Sequence, residues 1–66
     1  MAGSDDDLPT VSAPASRALA AAGVADLRDL SAMRRRDVAA LHGVGPTVMR
    51  VLDAALADRG MAFAED

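Results

Sequence analysis

The residues best suited to chemistry lie in one short stretch, Leu41-His42-Gly43-Val44-Gly45-Pro46-Thr47-Val48-Met49-Arg50. A link that runs glycine, apolar residue, glycine, proline ends one helix and begins another. Gly43 supplies the positive φ that closes the first helix, and Gly45 lets the backbone approach a ligand with no Cβ in the way. Pro46 fits the first position of the next helix, where its missing N–H would have had no intrahelical partner. The amides of Thr47 and Val48 then point along the axis at whatever sits at the positive end of the helix dipole. The chemistry is capture of an anion by backbone N–H groups, with phosphate as the ligand. The competing reading is a tight connection between two antiparallel helices. One glycine suffices for that connection, whereas a second glycine followed by Pro46 prepares an exposed helix N-terminus.

Thr47 and Arg50 stand three residues apart on the side of the last helix opposite its apolar stripe, so both can face a phosphate backbone. The alternative for Arg50 is an exposed charge paired with Asp53. Arg34-Arg35-Arg36 is the densest positive cluster. About seven residues of helix, at roughly 1.5 Å each, separate it from the hairpin by about 10 Å. It reads either as a solvated face or as an extension toward a second phosphate or an acidic partner. His42, beside a helix C-terminus, reads as a helix-ending polar residue. One His, no Cys and no acidic cluster at ligand spacing argue against a protein-built metal site and imply no cofactor. No nucleophile stands at motif spacing from a base, so the expectation is a non-enzymatic protein.

The elements that must position these residues belong to one small domain of a 66-residue chain. Without cysteine its core must come from Leu, Val, Met and Ala, and a reducing cytoplasm is the expected home. No apolar run approaches the roughly 20 residues needed to span a bilayer, and the N-terminus is acidic where a signal peptide would be basic. A soluble, unexported protein with no membrane partner is expected. The formal charge of -3 argues at first against a polyanionic partner. Yet Asp5, Asp6, Asp7, Glu65 and Asp66 fall in expected tails, and residues 8–64 carry seven Arg against five Asp, a net +2. The body is mildly basic.

Residues 1–7 lack periodic apolar positions and are expected to form a disordered acidic tail, with the domain spanning 8–64. Ser12 caps a helix in which Ala15, Ala18, Leu19 and Ala22 share a face until Gly23, after which Val24 folds back on Leu19. Asp26 caps a short turn carrying Leu27 and Leu30. A third helix is expected from about Arg34 to His42, burying Val38 and Leu41. The last runs from Pro46 to about Arg59 with an apolar stripe of Val48, Val51, Leu52, Ala55 and Leu56. Gly60 ends it, Met61 folds back on Leu56, and Phe63 closes the core. No strand signal competes, so the fold class is all-α, a compact bundle of four to five short helices.

The order Leu-His-Gly-Val-Gly-Pro resembles the hairpin of the helix-hairpin-helix DNA-binding family. A wider resemblance runs from Leu8 to Phe63. Leu-Pro, Pro-Ala-x-x-Ala-Leu-x-x-Ala-Gly-Val, Asp-Leu and Arg-Gly-Met-Ala-Phe follow the pattern of the C-terminal domain of the bacterial RNA polymerase alpha subunit and its small free-standing relatives. The resemblance implies a SAM-like helical fold and binding to the phosphate backbone of double-stranded DNA. The family's phosphate-binding amides match Gly43, Gly45 and Val48, and the carbonyls that hold a monovalent cation in some relatives match Leu41 and Val44. Where Thr47 stands, the family often has a basic residue. Arg17 matches a polar DNA contact of the polymerase-like domains, while the arginine they use in the minor groove matches Pro14. The resemblance thus implies a DNA interface of Gly43, Val44, Gly45, Thr47, Val48, Arg50 and Arg17 with little sequence specificity. The alternative is a protein-protein interaction module that docks on transcription or DNA-repair machinery.

Overall fold

Capping side chains start two of the helices and left-handed glycines end two. The computed structural model describes residues 7–65; of the tail expected over residues 1–7, residues 1–6 lie outside the described residues, as does Asp66, while Asp7 forms a backbone bridge with Asp26. Helix α1, Ala13–Ala21, begins where the Ser12 hydroxyl accepts the Ala15 N–H at 3.3 Å, with Pro14 in the first turn. It ends at Gly23, φ +84°, where the Gly23 N–H donates to the Ala20 carbonyl at 3.0 Å and the Val24 N–H to the Leu19 carbonyl at 2.9 Å. That pair of bonds is the Schellman ending, and it returns Val24 to the core.

Helix α2, Leu27–Ser31, is capped reciprocally. The Asp26 carboxylate accepts the Asp29 N–H at 2.9 Å, and the Asp29 carboxylate accepts the Ala25 N–H at 3.0 Å. Helix α3, Arg35–Ala39, has Arg34 at its N-cap with no side-chain bond. It is shorter than the expected span to His42. The Leu41 N–H donates to the Val38 carbonyl and the Val44 N–H to the Leu41 carbonyl, both at 3.1 Å, so tight turns replace the helix after Ala40. Those turns let Val38, Leu41 and Val44 all reach the core, which a continued helix would not.

Helix α4, Pro46–Asp58, is the longest and closes with a second Schellman ending. The Gly60 N–H donates to the Ala57 carbonyl at 3.0 Å and the Met61 N–H to the Leu56 carbonyl at 2.8 Å. Its inner face is rotated from the expected stripe. Met49, Leu52 and Leu56 are buried and Val48 and Ala55 half-buried, but Val51 is 36% exposed. At about 100° per residue, Val51 lies well outside the sector centred on Leu52 and Leu56. Ala22 is likewise exposed at the C-cap of α1, not on its buried face.

The path of the chain follows from a few contacts. The backbone of Gly43 lies against Pro14, so α1 starts beside the α3–α4 link and runs away from it. Asp26, beyond the far end of α1, forms an isolated antiparallel bridge with Asp7. Thus α2 forms a base, α3 climbs to the link, and α4 descends from it and packs on α2. The final segment returns to the base, where the Ala64 N–H donates to the Met33 carbonyl at 2.9 Å. Ala15, Leu19, Val24, Leu27, Leu30, Val38, Val44, Met49, Leu52 and Leu56 form one core, flanked by Leu8, Val11, Met61 and Phe63.

Among the described residues the architecture is all-α, with four helices and isolated bridges in place of strands. The radius of gyration, 10.8 Å, equals that of a folded domain of this length, about 11 Å. No helix in the described residues is long and apolar enough to cross a membrane.

Candidate functional site

The link between α3 and α4 is held from inside. Gly43 has φ +97°, and a Cβ there would lie 2.9 Å from the Pro14 carbonyl oxygen and 3.0 Å from its carbon. Glycine is therefore required twice, by conformation and by space. Val44 follows with its side chain 9% exposed in the core and its N–H committed to Leu41.

Gly45 differs. Its φ of -106° and ψ of -178° are extended values open to any residue, and a Cβ there would meet nothing within 4 Å. It is the N-cap of α4, and no side chain caps that helix. The first backbone bond of α4 runs from the Met49 N–H to the Gly45 carbonyl at 3.0 Å, so the Thr47 and Val48 amides stand ahead of the ladder. Pro46 occupies the first turn as expected. Thr47 and Arg50 are exposed on the outer side of α4, while Val48 is half-buried against the core. Arg17 is exposed on α1 one turn beyond Pro14. Gly43, Val44, Gly45, Thr47, Val48 and Arg50 thus lie on the link and the first turns of α4, and the contact of Gly43 with Pro14 brings the start of α1 beside the link.

Charge is unevenly distributed along the chain. Neither residues 8–25 nor residues 38–52 contain a carboxylate, although they hold Arg17, His42 and Arg50. The first turns of α2 and α3 carry Asp29 and Asp37, whereas those of α1 and α4 carry no acid. Helix N-termini ordinarily attract carboxylates. The two that converge at the link leave their positive ends unneutralised by side-chain charge.

Within the Arg34-Arg35-Arg36 cluster, Arg35 has a defined partner. Arg35 pairs with Asp53 through a short charge-assisted hydrogen bond and lies 5.7 Å over the centroid of Phe63. The hydrogen bond to Asp53 raises the Arg35 pKa above its ordinary value, desolvation opposes the shift, and the Asp53 charge adds to it. Asp53, the alternative partner considered for Arg50, is therefore engaged by Arg35. Below this contact Leu56, Met61 and Phe63 line an open cleft of about 610 Å³, at the opposite end of α4 from the link. His42 stands two residues past the C-cap of α3, exposed in the turn, and does not end a helix.

No protein-family model, curated protein or solved structure matches this chain. What the site can do must follow from its own residues and their placement.

Sequence reasoning did not find the seat of Gly43 on Pro14 or the Arg35, Asp53 and Phe63 cluster. Each joins residues far apart in the chain, and no local spacing announces them. The burial of Val44 did have a signal, an apolar residue between two glycines, which turns inward because its neighbours have no side chain to bury.

Proposed function

We propose that this protein is a small, non-enzymatic DNA-binding module of the helix-hairpin-helix kind, similar to the C-terminal domain of the bacterial RNA polymerase alpha subunit. It grips the phosphate backbone of double-stranded DNA through Gly43–Arg50 and reads little sequence. Gly45 carries this reading: neither backbone conformation nor internal packing calls for a glycine there, so the missing Cβ serves an approach from outside. The approaching group meets the amides of Gly45, Thr47 and Val48 at a positive helix end, an arrangement that suits a phosphate. Thr47 adds a hydroxyl donor, and Arg50 and Arg17 add charge to either side. The lack of carboxylates in residues 8–25 and 38–52 supports the same ligand.

An ¹⁵N-resolved NMR titration with a short mixed-sequence duplex tests it, at low and at moderate salt. The expected outcome is salt-sensitive shifts concentrated at Gly43–Arg50 and Arg17. A folded protein whose amides do not move at low salt would remove DNA from consideration.

A second reading, an interaction module for transcription or DNA-repair proteins, is favoured by the cleft of Leu56, Met61 and Phe63 beneath Arg35. It predicts partners that survive nuclease treatment in a low-salt pull-down, whereas DNA-bridged partners vanish.

A further inference from the structure

After Gly60 the C-terminal segment turns back along the body of the protein. The Met61 N–H donates to the Leu56 carbonyl at 2.8 Å and the Ala64 N–H to the Met33 carbonyl at 2.9 Å, while Arg35 lies over Phe63. Its apolar side chains, Met61 and Phe63, pack on the core but are only half-buried. Both line the open cleft of about 610 Å³ beneath Arg35. We propose that Met61 is an oxidation site for hydrogen peroxide, and that its sulfoxide unfastens residues 61–65 from the body of the protein. The proposal holds whether or not the hairpin binds DNA.

Three of the four methionines lie among the described residues, and they differ in access. Met49 is 6% exposed in the core. Met33 and Met61 are half-buried, and of the two only Met61 lines the cleft, which is open to a small solute in the folded protein. In the reaction a sulfur lone pair attacks one peroxide oxygen, and the O–O bond breaks as the S–O bond forms. The proton of the attacked oxygen passes to the other, which leaves as water. The thioether is oxidised by two electrons and the peroxide is reduced by two. A flexible apolar side chain thereby becomes polar. At Met61 the change falls on the apolar fold-back that accompanies a Schellman ending, here against the last turn of α4. A sulfoxide favours water over that contact, because a polar group held against apolar surface without a hydrogen-bond partner is costly. Residues 62–65 follow Met61 directly, so the Ala64 bond loses the anchor that holds it in register with Met33.

The test treats the native chain with hydrogen peroxide beside Met61→Leu, which keeps an apolar side chain of similar size at the fold-back but no sulfur. Cleavage after arginine places Met33, Met49 and Met61 on separate peptides, residues 29–34, 37–50 and 60–66, so mass spectrometry follows each methionine as it gains an oxygen. Met61 should oxidise several-fold faster than Met49, which reacts only when the core opens. Amide exchange at Ala64 should then quicken in the oxidised native chain while the amides of α1 stay unchanged, and peroxide should leave the Ala64 exchange of Met61→Leu as it was. Oxidation of Met61 no faster than that of Met49 would overturn the site. Unchanged exchange at Ala64, quickening that extends equally through α1, or quickening that persists in Met61→Leu would overturn the release.

Discussion

A methyl group added at Gly43 would sit 2.9 Å from the Pro14 carbonyl oxygen, while one added at Gly45 would meet nothing within 4 Å. The two glycines are separated by one residue and should respond oppositely to substitution. Gly43→Ala forces a side chain into a left-handed conformation against backbone, at a cost of about 1–3 kcal/mol. For a domain of this size each kcal/mol lowers the melting temperature by roughly 4–8 °C, which a thermal melt resolves readily. Gly45→Asp places a carboxylate over the amides of α4, supplying the cap the helix lacks. Stability should rise by a few tenths to about 1 kcal/mol, while duplex binding is lost because the carboxylate takes the place of the phosphate. Joint loss of folding and binding, or retention of binding, would contradict that role for Gly45. Both glycines were visible in the sequence as a hairpin signature. The seat of Gly43 on Pro14 was not, because Pro14 is 29 residues away from Gly43 and only the folded chain brings them together.

At the level of elements, local chemistry proved most legible where it acts over a few residues. Ser12 and Asp26 cap as their types predict, and Gly23 and Gly60 end α1 and α4 with the expected fold-back of Val24 and Met61. The end of α3 was less legible, because its last turn is decided by the need to bury Leu41 and Val44 together, a tertiary demand on a five-residue helix. The inner face of α4 was misjudged for a similar reason. Val51 and Met49 both fit a helical apolar repeat, and the folded chain buries Met49 and leaves Val51 exposed. The C-terminal segment is tied to the start of α3 by the Ala64–Met33 bond and by Arg35, which spans Phe63 and Asp53. Arg35→Ala should therefore accelerate hydrogen exchange at the Ala64 amide and leave the amides of α1 unchanged. Equal exchange at Ala64 in both proteins would show that the backbone bond holds the segment unaided.

Seen as a whole, the molecule carries a net charge of -3, yet residues 8–25 and 38–52, which include the hairpin, contain no carboxylate. Net charge then says little about what the hairpin binds, since screening over a Debye length of about 8–10 Å lets each end act on its own surroundings. If two to three phosphates are engaged, the log-log salt slope at neutral pH should lie between about -1.8 and -2.7. A slope near zero in a binding protein would mean that phosphates are not the ligand. Weak, salt-sensitive contact of this size gains most from a second copy on the same duplex. At the base, Asp7 meets Asp26 at the start of α2, and Ala64 meets Met33 just past its end, so the two points flank a helix only about 8 Å long. The first and last described stretches of the chain are therefore moored like the two ends of a strap, one at each end of the same short helix.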